Sequence, residues 1–219
     1  MMELTLNLRE RRLENNSNGF RVWRPHSYVQ NISSECTALL LCDVWDTHWC
    51  RGARERLDAM IPRMAQIVKT ARINGIHIIH APSGTLNYYV DSPAKRLLSG
   101  KALKVPPDNI PHIDPPLPID DSDGGSDSGG EEQKRVWTRQ HPGIVIDEYR
   151  DVISDDGREI YGYLRDTGIE KLLIMGVHTN MCILHRSFGI KQMIRWGIDI
   201  ALIRDLTDTM YNPAMLPYV

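Results

Sequence analysis

Residues 37–43 read TALLLCD, a continuous apolar run closed by an acid. A run of this kind is what a strand covered on both faces of a sheet requires. Leu57, Met60, Ile61, Met64, Ile67, Val68 and Ala71 then recur three and four residues apart, which makes one apolar stripe along a helix. Asn74-Gly75 supplies its left-handed stop. Residues 76–80, IHIIH, predict a second strand. Strand, helix and strand joined by short turns form a βαβ unit and hence a parallel sheet.

The pattern continues toward the C-terminus. RVWT at 135–138 predicts a short third strand. Asp155 or Asp156, with Glu159 close behind, opens a helix that Gly168 closes. KLLIMGV at 171–177 is another buried strand, 180–196 a helix with Gly197 just past its end, and IDIALI at 198–203 a fifth strand. No internal repeat is present. The alternation predicts an α/β fold with three layers, a doubly wound and mainly parallel sheet flanked by helices.

Two regions stand outside this pattern. Residues 1–35 form an N-terminal arm, and the domain proper spans 36–219. In the arm Leu4, Leu6 and Leu8 alternate, as do Phe20, Val22 and Tyr28 more loosely, predicting short extended pieces or a hairpin. Residues 93–103 are compatible with a helix, but Pro106, Pro107, Pro111, Pro115, Pro116 and Pro118 exclude regular structure after it. Residues 120–132, DDSDGGSDSGGEE, are acidic and rich in Gly and Ser. Their Asp spacing misses the calcium-loop pattern, so a mobile loop with nothing to bury is expected within an insertion at about 104–134.

Composition narrows the function classes. The 219 residues carry 26 Lys and Arg against 28 Asp and Glu, a net charge of −2. That balance gives no electrostatic footprint for nucleic acid or an anionic membrane. No apolar run approaches a membrane span, and the charged N-terminus does not read as a signal peptide. Cys36, Cys42, Cys50 and Cys182 lack zinc or redox spacing and are too few for a disulfide scaffold. A reducing, cytoplasmic setting is expected, in which one cysteine can be chemically active.

Ligands of open parallel sheets bind beyond the C-terminal strand ends. The predicted strands end in Asp43, His80, Thr138-Arg139 and the stretch Gly176-Val177-His178-Thr179-Asn180-Met181-Cys182. An acid, a guanidinium and a thiol are therefore expected on one rim. Cys182 falls in the first turn of a helix that starts after a buried strand, where the positive helix end favours a thiolate. Asp43 is placed to take the thiol proton and later to activate water. Cys42 and Cys36 read as structural.

The run Cys42-Asp43-Val-Trp-Asp-Thr-His-Trp-Cys50 resembles an Asp-Met/Val-Gln-Asn-Asp-Phe first-strand signature. Gly176-Val-His-Thr-Asn-Met-Cys182 resembles a Gly-Val-x-Thr-x-x-Cys nucleophile motif. Together they resemble the isochorismatase-like cysteine hydrolases, the family of nicotinamidases and N-carbamoylsarcosine amidases, over residues 37 to about 210. The resemblance implies an Asp–Lys–Cys triad in which Asp43 and Cys182 match. The family's Lys follows a Val-x-Thr motif, and here Val136-Trp-Thr138 is followed by Arg139. Arg139 keeps the charge that would hold a thiolate and orient Asp43, but it does not readily give up a proton. The resemblance also implies a cis peptide at Val177–His178, which aims the His178 N–H and that of Cys182 into an oxyanion hole. It places His48 where the family has a pocket Phe. Trp45 and Trp49 are pocket walls or core. The Asp-x-His metal pair of nicotinamidases is missing after the second strand, so no metal or cofactor is expected. The family's self-association implies a homo-oligomer, which the arm is placed to mediate. Its members run on with a further helix and strand after residues 205–208, so either this chain is shorter at that end or its sheet edge is finished differently.

The leading expectation is hydrolysis of an amide-type C–N bond in a small molecule through a thioester on Cys182. The alternatives are a binding module of the same fold, impaired at Arg139, and vinyl-ether hydrolysis of the isochorismatase type. Cys182 counts against the last, because members with that activity do without the cysteine.

Overall fold

The central sheet holds five strands in the order β5-β4-β3-β6-β7, and every pairing is parallel. The strands are β3 (Thr37–Cys42), β4 (His77–Ala81), β5 (Val152–Ile153), β6 (Lys171–Val177) and β7 (Asp199–Asp208). A separate two-stranded sheet precedes them, β1 (Glu3–Asn15) antiparallel to β2 (Arg21–Ser33). The computed structural model describes residues 2–109, 111 and 113–218. Residues 110 and 112 of the expected insertion lie outside the described residues.

Every residue of β3 is buried, as a strand with two covered faces demands. Its alternate side chains feed two cores. Leu39 and Leu41 pack with Leu57, Ile61, Met64 and Val68 of α1 (Arg51–Ile73) on one face. Ala38, Leu40 and Cys42 pack on the other with Ile160 and Leu164 of α3 (Gly157–Asp166) and with Met193 of α4 (Ile190–Arg195). The result is the three-layer α/β architecture that the alternating pattern predicts. α1 ends before Gly75, at φ 83°. α3 is capped by Asp156, whose Oδ1 accepts from the N–H groups of Arg158 at 2.7 Å and Glu159 at 3.2 Å.

Three expectations are corrected. Residues 135–138 are not a strand. The edge position is taken by the two-residue β5, and the nearby chain contributes only an isolated antiparallel bridge, Trp45 to Gln140. Two residues carry no periodicity, which is why the pattern misses β5. The helix expected over 180–196 is broken. A wide turn over Thr179–Ile183, closed by the Ile183 N–H on the His178 carbonyl at 3.2 Å, gives way to an irregular stretch before α4 begins at Ile190. Gly189 permits the break, since a Cβ there would meet the Ile183 carbonyl oxygen at 2.8 Å. Residues 120–132 are not free of the body either. Gly125 is buried against the Met210 carbonyl, Asp127 pairs with Arg56, and Asp121 accepts from Asn180 Nδ2 at 2.7 Å. Polar partners hold a segment that has little apolar surface to bury. Residues 93–103 contain a single helical turn, α2 (Pro93–Arg96), capped by Ser92.

The arm is one long hairpin. Asn15 opposes Arg21, and Gly19 at φ 81° closes the tip. Asn16 Oδ1 accepts from the N–H groups of Asn18 and Phe20, each at 3.0 Å. Among the described residues, no helix is long and apolar enough to cross a membrane.

Candidate functional site

The strand order reverses at β3. The chain leaves it for β4 and β5 on one side and returns to β6 on the other. A crevice opens at the carboxyl ends of strands around such a reversal. Asp43 follows the last residue of β3, and His178 follows the last residue of β6.

Gly176 lets the two strands close up. It has φ 121°, and a Cβ on it would stand 2.0 Å from the Cys42 carbonyl oxygen. Asp43 itself has φ 50°, a left-handed conformation that Asp tolerates better than most residues and that is found at strained functional positions. Its side chain is fully buried. Oδ1 accepts from the Ser83 N–H at 2.8 Å and Oδ2 accepts from Arg186 Nε at 2.9 Å. The Cys182 thiol hydrogen-bonds to the same carboxylate. Asp43 thus meets Cys182 and Arg186, two neighbours on a distant segment, at one point.

The guanidinium of this cluster is Arg186, not Arg139. Arg139 Nη1 donates to Tyr88 Oη at 2.8 Å, and its guanidinium carbon lies 5.4 Å from the Tyr88 ring centre. The reason is the absent third strand. Without it, Thr138 and Arg139 are tied to Asp46 instead, through their N–H groups at 2.9 Å and 3.4 Å. Arg186 lies one helical turn beyond Cys182, and its N–H bonds the Cys182 carbonyl at 3.0 Å. Any helix through these residues gives that four-residue spacing, so the sequence could place Arg186 beside Cys182 but not against Asp43, 143 positions away.

The expected thiolate is also corrected. Burial pushes the Cys182 thiol up to about 12, and the Asp43 carboxylate adds to the rise. Arg186 and the backbone of His178 oppose it. Cys182 therefore rests as a thiol. Burial also raises the Asp43 carboxyl, against the pull of Arg186, Cys182 and Ser83.

The peptide between Val177 and His178 is cis. The His178 ring is buried, and its Nε2 has no hydrogen-bond partner among the described residues. The carboxylate facing it is Asp208, 4.0 Å away, which is itself held by Arg56 Nε at 2.9 Å. Burial first, and His48 second, take His178 down to about 3. His48 is taken down to about 4, again by burial, while its Nδ1 accepts from the Cys50 N–H at 3.1 Å. Both imidazoles are neutral near pH 7.

A cavity of about 420 Å³ opens beside the thiol. Trp45, His48, Trp49 and Trp137 form its aromatic side. Trp45 and Trp137 stack at 4.2 Å, the His48 ring lies 5.5 Å from Trp137 and nearly parallel to it, and His178 meets His48 edge-on at 5.2 Å. Asp121, Ser122, Gly124 and Gln133 close the opposite side, so part of the acidic segment is a cavity wall. A second cavity, of about 440 Å³, shares Cys182, Met181, Asp121 and Arg186 and extends toward Leu117 and His185. Trp45 and His48 line the cavity, and so do Trp137 and the acidic wall, which the sequence pattern did not indicate. Cys42 is buried in the core, and Cys50 is enclosed by Asp127 and the hydroxyls of Ser126 and Ser128.

Among the described residues, no group of three His, Cys, Asp or Glu side chains has a metal-binding arrangement. His80, at the end of β4, is committed elsewhere. Its Nδ1 bonds Gln140 Oε1 at 2.8 Å and its Nε2 bonds Asp151 Oδ2 at 2.9 Å.

No protein-family model and no curated protein matches the chain. Solved structures similar to it include a cysteine hydrolase from Pseudomonas syringae pv. phaseolicola, 15% identical, with a TM-score of 0.45 over 82% of this chain and 75% of that one. An isochorismatase from Pseudomonas putida is 14% identical, with a TM-score of 0.45 over 80% of this chain and 72% of that one. An isochorismatase family protein from Burkholderia thailandensis is 14% identical, with a TM-score of 0.45 over 79% of each chain.

Proposed function

We propose that the chain is a hydrolase that cleaves an amide-type C–N bond of a small molecule through a thioester on Cys182. The observation that carries this reading is the junction of a thiol, a buried carboxylate and a guanidinium at the mouth of a cavity, with the Arg186 Nε to Asp43 Oδ2 bond at 2.9 Å.

The proton starts on sulfur, so attack and proton transfer are coupled. As Sγ bonds to the substrate carbonyl carbon, its proton passes to Asp43. Arg186 stays charged throughout and holds the carboxylate in place. The oxyanion is received by the backbone N–H groups of His178 and Cys182. The C–N bond breaks, Asp43 returns the proton to the leaving nitrogen, and a thioester remains. Asp43 then takes a proton from water, the hydroxide attacks the thioester carbon, the C–S bond breaks, and the proton goes back to sulfur. Arg186 thus fills the role that the sequence pattern assigned to Arg139.

The test is a panel of small primary and N-substituted amides, read by amine release and by intact mass. Turnover is expected with a substrate-dependent mass gain on Cys182, and Cys182→Ala is expected to abolish both while keeping the native circular dichroism spectrum. Undiminished turnover in that variant removes Cys182 from the chemistry. Binding of panel members without turnover or adduct favours a binding module of the same fold.

A further inference from the structure

We propose that the N-terminal hairpin is an exchange arm, whose tip of Leu13, Phe20 and Trp23 ringed by arginines docks on the acidic segment 120–132 of a second copy of this chain.

The ribbon is tied to the body only at its root. The Ser34 N–H donates to the Met2 carbonyl at 3.0 Å, and Lys171 Nζ donates to Gln30 Oε1 at 3.0 Å. Among the described residues, no hydrogen bond, ion pair or ring contact joins residues 3–29 to anything beyond the hairpin. Strands of 13 residues extend about 40 Å at roughly 3.3 Å per residue, far enough to reach across a neighbouring body. A lone two-stranded ribbon is marginal in water and needs a surface to lie on.

The tip is built for contact. Leu13 and Trp23 are direct cross-strand partners on one face, and Phe20 sits at the turn. They are 48%, 59% and 68% exposed. Between positions 9 and 24 there are five arginines (Arg9, Arg11, Arg12, Arg21, Arg24) and two glutamates (Glu10, Glu14), a net +3.

The same chain offers the complement. Residues 120–132 carry six acids and no cation; Asp127 is paired with Arg56 and Glu132 with Lys134, and among the described residues the charge of the other four is left for a partner to meet. The segment also lies against exposed apolar groups, since the Asp120 N–H donates to the Leu216 carbonyl at 2.9 Å, and Leu216 and Tyr218 are both exposed. A basic tip with an apolar centre thus faces an acidic strip with an apolar margin. Each copy has one of each, so a two-fold pair satisfies both arms at once. The segment walls the cavity beside Cys182, so a docked arm braces the substrate site of its partner.

The test is sedimentation equilibrium of the full chain. A dimer is expected with a dissociation constant near ~1 µM at low salt, loosened at about 0.5 M NaCl as charges are screened. Arg9→Glu, Arg11→Glu and Arg21→Glu together are expected to give a folded monomer, with a native circular dichroism spectrum and a thermal midpoint that no longer depends on protein concentration. Asp120→Lys, Asp123→Lys and Glu132→Lys together are expected to do the same. Mixing the two variants is expected to restore a heterodimer, because both contacts then have opposite charges again. A wild-type chain that stays monomeric at about 100 µM, a dimer indifferent to either variant, or two variants that fail to pair when mixed overturns the proposal. So does a monomer whose hairpin instead retards a single-stranded nucleic acid probe.

Discussion

Arg186 Nε stands 2.9 Å from Asp43 Oδ2, joining a half-exposed guanidinium to a fully buried carboxylate across 143 positions of the chain. The thiol between them in role, Cys182, shares that carboxylate. Charge, proton and nucleophile are thereby linked in one unit, and the outcomes below probe it and the scaffold that holds it.

Arg186→Gln leaves Asp43 charged, buried and without its cation. Breaking such a pair from one side costs more than the pair contributes, here about 2 kcal/mol after allowance for the solvent that reaches Arg186. Urea denaturation is the check. The double variant Asp43→Asn/Arg186→Gln is expected to recover most of that loss, because no uncompensated charge remains. Additive losses in the double variant contradict a direct pairing.

The Cys182 thiol titrates late. Its alkylation by iodoacetamide, followed by peptide mapping, is expected to reach half-maximal rate well above pH 9, since burial and Asp43 push the group up to about 12. Asp43→Asn removes the carboxylate that raises it and is expected to shift the midpoint downward. The same displacement makes the fold alkali-sensitive. The unfolded chain releases this proton near ~8.5, so the thiol's contribution is complete below that pH and is lost as pH rises toward about 12. A midpoint below the ordinary thiol range refutes this assignment.

On the acid side the two cavity histidines act in the opposite sense. His48 and His178 are held neutral down to about 4 and about 3, whereas the unfolded chain protonates them near ~6.5. Their contribution is present above that pH and is lost as pH falls through the folded values. Chemical denaturation between pH 7 and 4 is expected to show stability falling with acidity. His48→Gln with His178→Gln is expected to flatten the slope. An equally steep slope in that variant assigns the acid sensitivity to other groups.

Gly176→Ala puts a methyl group against the Cys42 carbonyl oxygen at a φ of 121°. Strain and overlap act together, so a loss above about 4 kcal/mol or failure to fold is expected. Asp156→Ala is the mild control. It removes two side-chain acceptor contacts at the start of α3 and is expected to cost about 1 kcal/mol with the site untouched. Urea midpoints separate the two.

The sequence by itself determined the layers of this protein. β3, α1 and β6 were legible because their apolar positions keep the period and length of the element, and α3 because Asp156 with Glu159 opens it and Gly168 closes it; both signals are local properties of the chain. It also placed Asp43 and Cys182 on one rim, because in a parallel sheet the residues that follow buried strands share an end. The edge strand was not legible, since Val152–Ile153 is too short to carry a period. The acidic segment was read as free because it has no apolar surface, yet Arg56, Asn180 and the Met210 backbone hold it as a wall. Only the tertiary structure decided which guanidinium faces Asp43. Arg139 has the matching sequence context and Arg186 has the position. The choice depends on a broken helix and on β3 lying beside β6, and contacts between distant segments leave no trace in local pattern.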